Sequence, residues 1–152
     1  MREAVALGSD LSIVSVTQYS YDAAGRLECT AVRMNPAVFG SLPTDACAPG
    51  TSGAYGPDRI TKNIYDNAGE LQQVIQAYGT ADQRAYATYA YSQNGKTLDT
   101  VDANGKRSTR QYDGLDRPST LFYPSATRPA AFNPSTPATA LVTAGSANGS
   151  DY

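Results

Sequence analysis

One short segment of this chain recurs, and that recurrence constrains the fold more than any other feature. Tyr21 to Leu27 read Tyr-Asp-Ala-Ala-Gly-Arg-Leu, and Tyr65 to Leu71 read Tyr-Asp-Asn-Ala-Gly-Glu-Leu, the same at five of seven positions. A third copy from Tyr91 to Leu98 keeps Tyr91 and Gly95. A fourth from Tyr112 to Pro118 keeps Tyr112 and Asp113 and puts Asp116 where glycine would stand. The tyrosines are spaced by 44, 26 and 21 residues. The unit is therefore near 21 residues, with insertions between the earlier copies. Asp102-Ala103-Asn104-Gly105 adds a further turn between the third and fourth copies. A unit of this length with two turns holds one pair of strands.

Each motif has a physical reading as a turn. Aspartate at the first position bonds a backbone N–H two residues on, and a glycine near the end supplies the positive φ that returns the chain. Asp22 with Gly25, Asp66 with Gly69, and Tyr91 with Gly95 are thus read as hairpin loops. Before the turns the sequence alternates with the strand period of two. Ile13, Ser15, Thr17, Tyr19 and Tyr21 share one face, and Ala85, Ala87, Tyr89 and Tyr91 share another. The spacing predicts strands at about 11–21, 26–33, 59–65, 70–78, 84–92, 96–101, 106–112 and 118–123. The fold class is all-β, made of consecutive antiparallel hairpins. Residues 1–123 are read as the repeat region, with an irregular insertion at 34–57. Residues 124–150, rich in Pro, Ser, Thr and Ala, are expected to be flexible. Asp151 and Tyr152 would begin a further repeat.

With the repeats in view, Tyr-Asp-x-x-Gly-Arg-Leu resembles the signature of RHS or YD-repeat proteins. Tyr21, Asp22, Gly25, Arg26 and Leu27 match every specified position, and Tyr65, Asp66, Gly69 and Leu71 depart only through Glu70 in place of arginine. The resemblance covers about Val16 to Tyr123, the insertion excepted. It implies a long antiparallel sheet, curved or spiralling into a hollow shell, as in bacterial polymorphic toxins, insecticidal toxin complexes and teneurins. It also implies secretion or display at a cell surface, in a bacterium. Other members are linked to carbohydrate binding. The Asp-Pro-x-Gly-Leu stretch at which many bacterial members cut themselves is not found. The nearest string, from Asp113 to Asp116, sits inside a repeat turn. Because no toxin domain follows the repeats either, only the scaffold role is carried over.

Composition narrows the remaining classes. Much of the hydrophobic content is alanine, Trp is absent and Phe occurs three times, so eleven tyrosines carry the aromatic load. Tyrosine suits a half-buried sheet face. Twelve basic and fourteen acidic residues give a net charge of −2, without the basic stripe that nucleic-acid binding needs. No stretch approaches the length of a membrane span, and Met1 to Ser15 offers only the short apolar patch Ala4 to Leu7 as a signal-peptide core. Cys29 and Cys47 either form a disulfide across the insertion or are two unrelated thiols in a reducing cell. Two cysteines and no histidine do not make a zinc site.

The absence of histidine removes Ser-His-Asp and Cys-His chemistry. Asp22, Asp66, Asp113 and Asp116 are read as turn formers in preference to paired catalytic carboxylates, and no enzyme, cofactor or metal is expected. Tyr19, Tyr21, Tyr89 and Tyr91 are candidates for a sugar-stacking surface, weighed against ordinary cross-strand packing. Arg26, Arg110 and Arg117 are expected to pair with turn carboxylates or to stack on these rings. Asn148-Gly149-Ser150 fits a glycosylation acceptor. Two functions follow. The first is a structural repeat module contributing shell wall, its partners other repeats of a parent protein or identical chains joined at strand edges. The alternative is an extracellular module binding a glycan or protein through Tyr-lined faces or open edges, or assembling with itself.

Overall fold

The computed structural model describes residues 2–7, 9 and 13–124. The segment read as flexible, apart from Pro124, lies outside them, as do Asp151, Tyr152 and the Asn148 acceptor. The protein is all-β. Its strands are β1 (Arg2–Leu7), β2 (Ile13–Tyr21), β3 (Leu27–Arg33), β4 (Arg59–Tyr65), β5 (Leu71–Gln76), β6 (Arg84–Tyr91), β7 (Thr97–Asp102), β8 (Arg107–Tyr112) and β9 (Pro118–Phe122). They succeed one another in the sheet in chain order. Every connection therefore runs to the neighbouring strand, as sequential hairpins require.

Eight strands were expected from the sequence, and the ninth is β1. Its Ala4 to Leu7 patch pairs antiparallel with β2, Ala4 opposite Thr17 and Val5 opposite Val16. It lies outside the four copies of the motif, so the motif gave no sign of it. Val5 and Leu7 remain 48% and 56% exposed, and among the described residues β1 pairs with β2 alone. The strand expected at 70–78 ends at Gln76, because Ala77 adopts φ 53° and starts the next turn.

The chain divides into two compact units, Met1–Ile64 with Val74–Arg84, and Tyr65–Gln73 with Ala85–Tyr152. In the first, one face of β2, β3 and β4 is buried in register. Val16 lies opposite Arg33, Gln18 opposite Ala31 and Ala31 opposite Ile60, with Ser20 opposite Cys29. Small side chains there leave room for the insertion, which lays Ala46 on Cys29, Ala31 and Ile60, flanked by Cys47 and Tyr78. The insertion stays irregular apart from a 3-10 turn at Pro36–Val38 and a bridge between Gly53 and Gly56.

In the second unit the buried side chains are a mixture of small apolar and polar groups: Ala85, Ala87 and Val101 with Gln73, Thr88 and Asp99. The polar ones are satisfied across strands. Gln73 Nε2 donates to Thr88 Oγ1 at 3.0 Å, and the Thr109 hydroxyl donates to Asp99. This core carries little apolar area, so hydrogen bonding supplies much of its specificity.

Candidate functional site

Five turns close in one way, and they account for most of the motif. In each, the N–H of the first residue donates to the carbonyl four residues on, at 2.9 Å for Asp22, Asp66, Ser92, Asp102 and Asp113. The N–H of the fourth residue returns to the first carbonyl, at 2.9 to 3.1 Å. This is a three-residue loop ending in a left-handed residue. The residue at that point is Gly25 (φ 79°), Gly69 (91°), Gly95 (78°), Gly105 (76°) or, in the last turn, Asp116 (60°). A short polar side chain is among the few that tolerate this conformation, which is how Asp116 replaces glycine without changing the turn.

The first side chain of the turn closes it a second time. Asp22 Oδ1 accepts the Ala24 and Arg26 N–H groups, both at 2.9 Å, and Oδ2 accepts Arg26 Nε at 2.7 Å. Asp113 repeats this with the Leu115 and Arg117 N–H groups and with Arg117 Nε at 2.7 Å. The motif arginine therefore clamps its own turn. The Arg26 N–H and then its guanidinium, with the Ala24 N–H, hold the Asp22 carboxyl below the usual range, and Asp113 is lowered by the same donors on Arg117 and Leu115. Arg110 is exposed on β8 and, among the described residues, pairs with no carboxylate.

The motif tyrosine connects one repeat to the one before it. Tyr91 donates its hydroxyl to the Leu71 carbonyl at 2.7 Å, and Tyr112 donates to the Thr97 carbonyl at 3.0 Å. Leu71 and Thr97 occupy the same, seventh motif position. Burial, followed by Glu70, Tyr89 and Asp66 nearby, pushes the Tyr91 phenol up. Tyr89 packs beside it, with ring centroids 6.4 Å apart and planes tilted 36°. Tyr19 is half-buried and Tyr21 is 40% exposed; both belong to the first unit.

Sequence reasoning missed the centre of the first unit, a buried arginine that holds the insertion. Arg33 has no exposed side-chain surface and lies 2.6 Å from Asp58. Its Nε donates to Gln18 Oε1 at 2.6 Å, and its terminal nitrogens reach the carbonyls of Ala48 at 2.9 Å and Asp45 at 3.2 Å. Asp58 also accepts the Met34 and Gly50 N–H groups, both at 2.9 Å. Burial alone would raise its pKa, but the Met34 N–H, the Arg33 guanidinium and the Gly50 N–H together lower it. Ser20 donates to Asp45 Oδ1 at 2.6 Å and accepts from the Ala46 N–H at 2.7 Å. A disulfide joins Cys29 on β3 to Cys47 in the insertion, Cα atoms 5.3 Å apart. Only the position of Arg33 at the end of an alternating strand, with its side chain on the inward face, hinted at this arrangement.

Among the described residues no group of three or more His, Cys, Asp or Glu gathers to hold a metal ion. No helix among them is long and apolar enough to cross a membrane. No family model matches the chain, and no curated protein matches it. Among solved structures it is similar to a chain in the crystal structure of TcdB2-TccC3-Cdc42, with a TM-score of 0.38 and 14% identity, over 80% of this chain and 7% of that one.

Proposed function

We propose that this protein is a structural repeat module, a length of wall or scaffold whose parts are consecutive hairpins. The observation that supports this reading best is the tyrosine link. Each hydroxyl of Tyr91 and Tyr112 satisfies a carbonyl at one fixed position of the preceding repeat, so the third and fourth copies are each tied to their predecessor by the same bond. A device of this kind serves propagation of a sheet and needs no reacting group, in keeping with the resemblance to YD-repeat proteins. The reading is non-enzymatic and needs no cofactor.

A scaffold strip offers its terminal strands to a neighbour, whether a further repeat or a second copy. The Cys29–Cys47 disulfide supports a place in an oxidising compartment, secreted or at a cell surface. Light scattering coupled to size exclusion, across a dilution series and with and without reductant, tests the scaffold reading. Concentration-dependent assembly is expected. A compact monomer at every concentration would remove the scaffold role.

A further inference from the structure

Tyr55 is the one large ring in the insertion that the scaffold leaves unexplained. It is 70% exposed, although the backbone that carries it is closely held. Gly53 and Gly56 bridge one another, the Gly56 N–H donates to the Gly53 carbonyl at 3.1 Å, and Gly56 sits at φ 87°. Asn35 fills the space beside Gly53, where an added Cβ would fall 2.6 Å from Asn35 Cγ. Asn35 Nδ2 then donates to the Thr51 carbonyl at 3.1 Å. A ring displayed on a fixed turn loses little freedom when a ligand covers it.

The ring is the common wall of two clefts. One, of about 420 Å³, is lined by Val32, Met34, Pro36 and Phe39. The other, of about 450 Å³, is lined by Arg59, Arg84, Thr80 and Asp82. Val32 and Arg59 face each other directly across β3 and β4, so the apolar cleft passes into the charged one along a single sheet face. Arg59 and Arg84 are exposed, and among the described residues neither has an ion-pair partner. Asp58 also borders the second cleft, but its charge is taken up by Arg33 at 2.6 Å. One carboxylate, Asp82, is left against two guanidinium groups, and the cleft is cationic.

An acidic sugar would satisfy the arginines and leave Met34 and Phe39 without an apolar partner. An extended peptide carries both kinds of group a few ångströms apart. We propose that this composite groove docks an extended segment of a partner protein, with an apolar side chain beside Met34 and Phe39, the peptide backbone crossing Tyr55, and carboxylates on Arg59 and Arg84. Arginine suits that last role because its planar fork binds a carboxylate through two bonds.

The test uses the full chain and fluorescein-labelled peptides Leu-Gly-Asp-Glu, Leu-Gly-Gly-Asp-Glu and Leu-Gly-Gly-Gly-Asp-Glu, followed by polarisation at low ionic strength. Saturable binding of at least one peptide is expected, weakened about tenfold or more by Tyr55→Ala and by Arg59→Glu and lost with the Asn-Gln counterparts. Both positions are exposed, and circular dichroism checks that the variants fold. Absence of saturable binding overturns the proposal, as does binding that both substitutions leave intact. Binding of trigalacturonate in place of the peptides also overturns it and makes the groove a site for acidic sugars.

Discussion

At the scale of single residues, the turn motif divides its work among atoms that can be removed one at a time. Gly25 and Gly69 lie at φ 79° and 91°, where a β-branched residue is disfavoured by about 1–2 kcal/mol. Gly25→Val and Gly69→Val should each lower stability by about that amount in urea unfolding. Gly114→Ala is the control, since Gly114 has an ordinary φ and open space around it, and it should be neutral or slightly stabilising. Tyr91→Phe strips the bond to the Leu71 carbonyl and should cost about 1 kcal/mol. An unchanged midpoint for Tyr91→Phe would mean the hydroxyl does not join the repeats. Acid should act on the hydrogen-bonded carboxylates of the turns and of the insertion. Asp22, Asp45, Asp58 and Asp113 all have lowered pKa values. Their contribution is complete above the unfolded value of about 4 and is lost as pH falls through the folded values. The urea midpoint should therefore be flat from about pH 7 to 5 and fall below about 4.

At the scale of elements, the insertion behaves as a plug that is pinned twice. The disulfide closes a separation of 18 residues, worth about 3 kcal/mol through the unfolded chain. The buried Arg33–Asp58 pair fixes the other end. Arg33→Leu leaves Asp58 as a buried charge without its partner, and such a change costs about 3–5 kcal/mol. Pairing it with Asp58→Leu should restore part of the loss, although the Met34 and Gly50 N–H groups then go unmet. Hydrogen exchange locates these effects. Reduction or Cys47→Ala should speed exchange between residues 34 and 58 and leave the turns at 92–96 and 113–117 protected. Uniform loss of protection in both regions would show that the insertion is not a separate element.

At the scale of the whole molecule, the repeats fold through neighbouring contacts, and the two compact units share one turn chemistry. Light scattering tests whether terminal strands recruit further chains, with assembly that rises with concentration expected. The hairpins were legible from the sequence because their determinants are local. Asp22 to Arg26 and Asp113 to Arg117 each hold the donors, acceptors and positive-φ residue of a complete turn within five positions. Strand alternation then set most boundaries to within one or two residues. β1 was not legible, since Arg2 to Leu7 gains its identity only from pairing with β2.

The same contrast separates what sequence and tertiary structure each contribute. An all-β chain of sequential hairpins follows from local sequence, because turn closure depends on residues four apart and strand faces on a period of two. Tertiary structure alone decided which face is covered, that Arg33 meets Asp58 across 25 positions, that Tyr91 reaches back 20 positions to Leu71, and that Tyr55 stands between two clefts. Those contacts join segments with no shared period, and their partners are selected by packing and by the cost of leaving buried charge and polar groups unpaired.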